Sequence, residues 1–586
     1  MKRFEGSSRP SDTGADRDPV KAFYGKRRFD RPFSGPRDVA ERKGEREGIE
    51  VFQGHRRESY AAYIENLVSP EACEAFERVC RLCEAVKAAG GRALLVGGAV
   101  RDEVLGAPSK DFDVEVYGLE PDALEELVRS FGTVKDVGKA FGILKLAEAG
   151  GTEIDISMPR TDSKVSEGHT GFDVKVDPRM SVKDAARRRD FTFNALSKDP
   201  LTGEIYDPFG GVKDLTTRTL RVTDPERFRD DPLRLLRAAQ FTGRFGLAAE
   251  PETLTLLRDM VPAMKEISVD RVREEWEKLL LRSVRPSMGL TLLNGIGMVD
   301  AYYPELAALR GNAQEFEWHP EGDVWTHTLM VTDAAREIVR RRELGGETAR
   351  TLMLAALCHD LGKPGTTSFV DGRIRSHEHD VKGVEPTQSF LGRIGTRKKD
   401  VEKVGNLVRE HIWPSATYLH QREQGTKKGS ITAGAFRRLA KRLDPATIEE
   451  LSYVAEADGL GVGPFLDPMH PDQLLLKSVD AYGLEAGRWL RAKAEALGIY
   501  RSKPERSVMG RELIALGYAP SADPGVRFGD VISRADDCRD LLGMTKDDLF
   551  RILRSYAGDT RAAVAALDGH LTSANNPFKK HDDERD

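Results

Sequence analysis

An α+β fold, with one small α/β domain near the N-terminus and helical domains after it, follows from three observations. Short apolar strands alternate with helices only up to about Val222, helical periodicity dominates from Pro225 onward, and residues 1–55 carry no apolar periodicity. The chain has 586 residues, 39% hydrophobic and 32% charged, which is too many for one core and suits several ordinary globular domains.

Taken in order, residues 1–55 are rich in Gly, Pro, Ser, Arg and Asp and are expected to be a disordered extension. Order is expected to begin with an amphipathic helix over Pro70–Ala89. The Cys80/Cys83 pair in it reads as a helix face rather than a redox or zinc pair. The strand and helix pattern then runs Ala93–Val96 (strand), Ala99–Leu105 (helix), Asp111–Val116 (strand), Pro121–Ser130 (helix), Gly142–Leu146 and Glu153–Met158 (strands). Beyond Pro225 the clearest helices are Pro251–Met260, Arg271–Leu281, Pro286–Ile296, Val324–Arg341, Arg350–Leu361 and Glu402–Glu410, interrupted by a turn-rich stretch at Pro364–Ser376. The polar tail after Leu571 is expected to be loose.

Composition narrows the function classes. No apolar run approaches the roughly eighteen residues that cross a bilayer, and the charged N-terminus lacks the apolar segment of a secretory signal. Five scattered cysteines fit reduced thiols, so a cytoplasmic protein with no membrane partner is expected. A net charge of −5 leaves any nucleic acid to local basic clusters at Arg187–Arg189, Arg227–Arg237 and Arg437–Arg442, each explained as well by a solvated helix face.

The strongest local signal is Leu94-Leu95-Val96-Gly97-Gly98-Ala99-Val100-Arg101-Asp102, followed by Lys110-Asp111-Phe112-Asp113. A strand entering Gly97-Gly98 and then a helix brings backbone N–H groups close to phosphates, and Arg101 in the first turn is placed to hold a triphosphate. Asp111 and Asp113, two apart on a strand, point the same way. Two such carboxylates can hold a pair of Mg²⁺ ions that activate an attacking hydroxyl and stabilise a leaving pyrophosphate. Asp155, on a neighbouring strand, is the candidate third acid. Either motif alone is weak; together within a short span they supply a phosphate cradle and a metal site at once.

These residues resemble those of the class II tRNA nucleotidyltransferase and bacterial poly(A) polymerase family. Further segments agree in order: Arg188-Arg189-Asp190-Phe191-Thr192-Phe193-Asn194-Ala195-Leu196, then Tyr206-Asp207-Pro208-Phe209-Gly210-Gly211 with Asp214-Leu215, then Asp230-Asp231-Pro232-Leu233-Arg234-Leu235-Leu236-Arg237. The likeness covers about Leu94–Leu281, with Asp230 standing where the family often has Glu. It implies that Arg189 contacts nucleotide and that Asp231, Arg234 and Arg237 belong to a helical neck reading the incoming base. Asp231 and Arg234 are expected on one face of a helix, where a carboxylate and a guanidinium match the edges of C and A but not of G and U. The polar stretch between Pro159 and Val176 is the expected counterpart of the loop used in switching from C to A.

The histidines of the second half resemble the HD superfamily of metal-dependent phosphohydrolases. His327, His359, Asp360 and Asp458 match its H…HD…D set, and His379 and His411 are expected supplementary ligands; His379 is preferred to His377 because Asp380 and Gly383 follow it. Such a set suits Mn, Ni, Co, Fe or Zn. The segment Met509–Leu513 through Phe528-Gly529 resembles a C-terminal stretch of the family and is expected to help hold tRNA.

The resemblance therefore implies a transferase palm at 56–222, a neck at 223–310, an HD phosphohydrolase domain at 311–470, a helical RNA-holding region at 471–571 and a loose tail at 572–586. The implied activity is template-independent addition of C, C and A to tRNA from CTP and ATP with Mg²⁺, beside an HD phosphohydrolase. A poly(A) polymerase or A-adding enzyme of the same family is the alternative. An RNA-binding protein with decayed sites is disfavoured by the complete carboxylate and His/Asp sets.

Overall fold

A computed structural model describes residues 41–46, 48–107, 109–135, 143–147, 153–164, 172–424, 431–462, 482–519 and 527–574. They fall into two compact units, one holding residues up to Ser163 together with Phe172–Thr217, the other everything from Arg218.

The first unit is built on a nine-stranded mixed sheet. Its elements are β1 (Glu41–Arg46), β2 (Ile49–Gln53), α1 (Arg57–Leu67), α2 (Pro70–Ala88), β3 (Arg92–Val96), α3 (Gly98–Val104), β4 (Phe112–Tyr117), α4 (Pro121–Arg129), β5 (Thr133–Lys135), β6 (Ile143–Ala147), β7 (Glu153–Ser157), β8 (Arg160–Lys164), β9 (Phe172–Val176), α5 (Val182–Ala186), β10 (Ser197–Lys198), β11 (Glu204–Asp207) and α6 (Gly211–Thr216). The strand order is β1-β2-β11-β10-β3-β4-β7-β6-β5, and β8 pairs with β9 apart from it. β4 and β7 run parallel, while β3–β4 and β6–β7 are antiparallel.

The core of this unit follows from the sequence patterns. In α2, Ser69 accepts a hydrogen bond from the Ala72 N–H, Pro70 opens the first turn, and Ala72, Phe76, Val79, Cys80, Leu82, Cys83 and Val86 form the buried stripe. Cys80 and Cys83 thus lie on its buried face. Beneath the sheet, Lys198, fully buried, donates to both oxygens of Glu103 at 2.7 and 2.8 Å, and its ammonium lies 3.8 Å from the Tyr60 ring centroid.

Two boundaries differ from expectation. Residues 41–46 and 48–53 are not part of a disordered extension: β2 pairs with β11 and buries Ile49 and Val51 in the core, while the polar β1 adds at the edge through backbone hydrogen bonds. Residues 1–40 lie outside the described residues. The chain leaves the first unit at Thr217 rather than Val222, since Thr219–Leu220 pair with Ala248–Ala249 in the second. The expected nucleotide-switching loop falls largely at residues 165–171, also outside the described residues.

The second unit is mainly helical. Its elements are β12 (Thr219–Leu220), α7 (Pro225–Phe228), α8 (Arg234–Phe245), β13 (Ala248–Ala249), α9 (Pro251–Met260), α10 (Val269–Arg282), α11 (Pro286–Gly295), α12 (Met298–Tyr302), α13 (Pro304–Ala307), α14 (Val324–Arg341), α15 (Gly346–Cys358), β14 (Thr367–Val370), β15 (Arg373–Ser376), α16 (His379–Lys382), α17 (Val384–Arg393), α18 (Lys398–Glu410), α19 (Trp413–Gln424), α20 (Ala433–Leu443), α21 (Ile448–Gly461), α22 (Tyr482–Ala496), α23 (Gly510–Ala515), α24 (Phe528–Leu542), α25 (Lys546–Ser555) and α26 (Thr560–Ala574). α15 is apolar nearly all round and is buried from Thr351 to Cys358. Asp323 caps α14, and Thr447 with Glu450 forms a capping box on α21. The stretch read as turn-rich at Pro364–Ser376 contains the hairpin β14–β15, whose exposed strands lack a core-facing run. The basic cluster Arg437–Arg442 is a structural brace: Arg438 and Lys441 bind the Asp540 carbonyl and carboxylate at 3.0 and 3.1 Å, and Arg442 pairs with Glu410 at 2.7 Å.

α8 and α11 meet at Gly289, where a Cβ would lie 2.4 Å from the Ala239 carbonyl oxygen. Gly289→Ala is therefore expected to destabilise the helical unit by about 1–3 kcal/mol through overpacking against backbone. A thermal melt followed by far-UV circular dichroism checks this; an unchanged midpoint would refute the close packing.

Candidate active sites

In the first unit the backbone sets the site before any side chain does. β3 ends at Gly97, whose φ of 69° and ψ of −123° suit glycine, and α3 starts at once from Gly98. A Cβ on Gly97 would lie 2.7 Å from Nη1 of Arg189, so that guanidinium closes over the turn.

β4 presents acids on one face and apolar residues on the other. Asp111, just ahead of the strand, then Asp113 and Glu115 alternate with buried Phe112, Val114 and Val116. The parallel register sets Asp113 directly opposite Asp155. Lys145, opposite Asp155 on β6, brings its Nζ to 3.0 and 3.1 Å from the two carboxylate oxygens. The loss of surrounding water pushes the Asp113 carboxyl above its ordinary value; Arg189 pulls it down, and Asp155 and Asp111 push it up again. Asp113 and Asp155 thus face each other across paired strands, and Asp111 is near enough to add to the charge acting on Asp113.

Glu115 is the residue that sequence reading overlooked. Only 1% exposed, it accepts from Arg188 Nη2 at 2.8 Å and from the Tyr117 hydroxyl at 2.7 Å, and lies 4.0 Å from Arg189. These contacts hold its carboxyl below its usual range despite burial, with Arg189 the largest attractive influence. Its signal was the third acid in the alternation Asp111-Phe112-Asp113-Val114-Glu115.

The remaining motifs of this unit are held by side-chain hydrogen bonds. Arg101 Nη1 donates to Asn194 Oδ1 at 2.6 Å, Asn194 Nδ2 donates to Asp190 Oδ1 at 2.8 Å, and Thr192 Oγ1 donates to Asp214 Oδ2 at 2.7 Å. Asp207 accepts from the N–H groups of Gly211 and Val212 at 2.8 and 2.9 Å. Arg101, expected to hold phosphate, is 5% exposed and engaged by Asp102 and Asn194. Its geometry is that of a brace between α3 and the Arg188–Leu196 segment, whereas Arg189 reaches the Asn194 carbonyl at 3.4 Å and keeps 17% of its side chain exposed.

In the second unit, Asp231 and Arg234 do not share a helix face. Pro232 disfavours helical geometry at the residue before it, so Asp231 lies in the turn ahead of α8, with its Oδ1 accepting from the Leu233 N–H at 3.1 Å. Its Oδ2 accepts from Arg271 Nη2 at 2.8 Å, while Arg234 donates to the Arg227 carbonyl at 2.7 Å and lies over the Phe228 ring at 5.5 Å. Arg237, one turn further, lies over Phe241 at 5.3 Å.

The histidine set converges. His327 Nε2 is 3.2 Å from His359 Nε2, 3.1 Å from Asp458 Oδ1 and 3.6 Å from Asp360 Oδ2. Asp360 Oδ1 is 3.4 Å from His379 Nε2 and 3.9 Å from His411 Nε2. The other ring nitrogens face outward: Nδ1 of His359, His379 and His411 lies 2.9, 2.7 and 2.6 Å from the carbonyl oxygens of Ala356, Ser376 and Val408. That arrangement fixes the tautomer and frees Nε2 for an ion. Burial, with His379 and His359 adding to it, pushes His411 down to about 4, into the neutral ligand form. Gly362 permits this convergence, since its Cβ would lie 2.0 Å from the His379 carbonyl. His377 is exposed and stands apart from the set.

Two further partners escaped the sequence reading. Glu321 Oε1 lies 2.8 Å from His327 Nδ1 and 2.9 Å from His319 Nδ1, a carboxylate–imidazole pairing that orients His327. Lys363 Nζ is 2.8 Å from Asp360 Oδ2 and 2.7 Å from Gln314 Oε1. Among the described residues, His319–Glu321–His327, His327–His359–Asp458 and Asp360–His379–His411 are the groups arranged to hold a metal ion. The donor set of imidazoles and carboxylates fits a transition metal.

Comparison with known proteins agrees with these geometries. Family models match residues 93–221 (poly A polymerase head domain), 246–309 (probable RNA and SrmB-binding site of polymerase A) and 324–461 (HD domain). A multifunctional CCA protein of Xanthomonas campestris pv. campestris is 34% identical over 423 residues, covering 69% of this chain and 96% of its own. One from Mannheimia succiniciproducens is 31% identical over 390 residues, covering 66% and 88%. In fold, the chain is similar to the Bacillus stearothermophilus CCA-adding enzyme solved with CTP, at a TM-score of 0.53 and 22% identity over 87% of this chain and 99% of that one.

Because Glu321 orients His327 without joining the convergent set, Glu321→Gln is expected to lower transition-metal affinity about ten- to a hundredfold while the protein stays folded. Metal content after dialysis against a graded chelator measures it. Retention equal to wild type would mean that the contact does not tune the site.

Proposed function

This chain belongs to the multifunctional CCA protein family, and on that premise we infer how its own residues carry the reaction. It adds C, C and A to the 3′ end of tRNA from CTP and ATP without a template, and it carries an HD phosphohydrolase domain. The transferase reading rests most on Asp113 standing opposite Asp155, with Arg189 over the Gly97 turn.

Asp111, Asp113 and Asp155 would hold two Mg²⁺ ions, which when bound supply Lewis-acid stabilisation of the attacking and leaving oxygens. Gly97 and Gly98 let the backbone approach the triphosphate, and Arg189 meets its charge, itself held by Glu115. Arg101 keeps α3 fixed against Asn194 so that the cradle holds its shape.

The neck residues Asp231 and Arg234, with Arg237 beside them, are proposed to read the base. The Asp231 carboxylate accepts from the exocyclic amine of C or A, and the Arg234 guanidinium donates to ring acceptors; G and U present the opposite pattern. Arg271, 2.8 Å from its carboxylate, orients Asp231 for that task.

In the HD domain, His327, His359, Asp360 and Asp458, with His379 and His411, would hold Mn, Ni, Co, Fe or Zn. When bound, the metal supplies polarisation of a phosphoester and a nucleophile at neutral pH. Lys363, beside Asp360, is placed to neutralise phosphate charge. The C-terminal helices, residues 471–571, are proposed to help hold tRNA. No helix among the described residues is long and apolar enough to cross a membrane. A cytoplasmic site of action, where tRNA, CTP and ATP meet, completes the reading.

The two activities should separate. Asp113→Ala is expected to cut labelled CTP and ATP incorporation into a tRNA lacking its 3′ end to below about one per cent, leaving phosphoester hydrolysis intact. His359→Ala is expected to do the reverse and to lose bound transition metal. Loss of both activities in either folded variant would contradict separate sites.

Base choice tests the neck pair. Asp231→Ala is expected to raise UTP use relative to CTP about ten- to two-hundredfold, the worth of one lost bidentate contact. Single-turnover rates with each nucleotide on one acceptor decide it; an unchanged CTP-to-UTP ratio would leave Asp231 a structural partner of Arg271.

A further inference from the structure

In the transferase unit one cation stands on the far side of the acids from the glycine turn, and strand register places it there. Lys145 on β6 is paired with Asp155 on β7, and Asp155 is paired with Asp113 on β4. Directly paired residues share a face of the sheet, and the residues between them show which one: Leu144, Leu146, Ile154, Ile156, Phe112 and Val114 are buried on the other. Lys145, Asp155 and Asp113 therefore form one row across three adjacent strands. On the other side of β4 runs β3, which leads into Gly97, and Arg189 closes over that turn. Across the sheet the order is thus the glycine turn with Arg189, then Asp113, Asp155 and Lys145.

The ammonium of Lys145 is not used up by its partner. Asp155 takes it at 3.0 and 3.1 Å, and the next acid, Glu153, stays 3.9 Å away, beyond hydrogen-bond distance. An ammonium has three N–H donors, so even a two-pronged contact with Asp155 leaves one for another acceptor. The Lys145 side chain is 29% exposed, whereas Lys198, which braces the same sheet, is fully buried. Lys145 combines an open face with a spare donor, which is what an anion arriving from outside requires.

We propose that Lys145 is a contact for the acceptor RNA, holding the phosphodiester that carries its 3′-terminal nucleotide. The proposal rests on the transferase reading of the site around Gly97 and Asp113. In that reaction the acceptor's 3′ hydroxyl oxygen bonds to the α-phosphorus and releases its proton to water. The bond from that phosphorus to the bridging oxygen breaks, and pyrophosphate leaves with the electron pair. Attacking and leaving oxygens lie roughly in line. With Gly97 and Arg189 holding the triphosphate on the β3 side, the leaving group departs there and the hydroxyl enters from the opposite side, over β7 and β6. The RNA behind that hydroxyl brings its last phosphodiester to the end of the row where Lys145 stands. Asp155 serves the contact by holding the ammonium on the row's face, and the ammonium in turn offsets two carboxylates that would repel the incoming strand.

A double-mutant cycle between protein and RNA tests it on the full-length chain. The variants are Lys145→Met and Lys145→Arg. The acceptors are a tRNA lacking its 3′ end, with either an ordinary last phosphodiester or an uncharged methylphosphonate in its place. Acceptor binding is measured by filter retention in EDTA, and KM and kcat for acceptor and for CTP are measured with Mg²⁺. Lys145→Met is expected to weaken binding of the ordinary acceptor about three- to tenfold, and to flatten its salt dependence by the worth of about one phosphate contact. KM for the acceptor should rise by a similar factor while KM for CTP holds, and Lys145→Arg should keep most of the affinity. The methylphosphonate should cost the wild type that same factor and cost Lys145→Met almost nothing. No loss in Lys145→Met, or losses from the two changes that simply multiply, would place the phosphate elsewhere and overturn the proposal. Equal loss of CTP and acceptor affinity would overturn it too, by making the lysine a counter-charge of Asp155 and nothing more. If the wild type extends no acceptor with CTP or ATP, the transferase reading itself fails, an outcome separate from these.

Discussion

The parallel pairing of β4 with β7 is the constraint on which the transferase half depends. Adjacent strands lie about 4.8 Å apart, so register alone forces Asp113 and Asp155 into each other's field. Like charges that close raise one another's cost of ionisation, and the surrounding groups respond to it: Lys145 leans on Asp155, and Arg189, held near Glu115, offsets the charge of Asp113. The register therefore concentrates negative charge between β4 and β7, with Lys145 and Arg189 as its counter-charges.

The HD half solves a related problem with helix ends instead of strands. His359 and His411 directly follow α15 and α18, where the last turn of a helix leaves carbonyls without intrahelical partners. Each ring turns Nδ1 to the carbonyl three residues back and so presents Nε2 to the centre. A need of the backbone is thereby met by the same contact that orients a ligand. His327, in the first turn of α14, lies far from the free carbonyls of the helix end and uses Glu321 instead.

Much of this could be read from residue order because the decisive groups are close in sequence. Gly97 to Asp113 places cradle and acids within one strand–helix–strand passage, and the in-out alternation of β4 is a local property. His359-Asp360 behind an apolar helix is likewise local. Glu115 was hidden by being a third acid on the same face, legible only once its burial and its arginine partners are known. Glu321 was hidden because its role depends on two imidazoles folding onto it. Arg101 misled for the opposite reason: its place in the first helical turn suggests an open phosphate ligand, but Asn194, remote in sequence, takes it. The β1–β2 hairpin was missed because the apolar alternation of β2, Ile49 and Val51, is too short to stand out from the polar residues around it, and β1 joins the edge through backbone groups.

By itself, the sequence determined the helices with a strong apolar stripe, the order of the transferase motifs and the acids alternating along β4, since these follow from period and proximity along the chain, while the histidines that converge were picked out by resemblance. Tertiary structure alone decided that Arg101 is buried against Asn194 and that Asp231 sits in a turn bound to Arg271 and not on a helix beside Arg234. Those outcomes depend on which distant groups compete for the same hydrogen bonds and the same shelter from water, and that competition exists only once the chain has closed on itself.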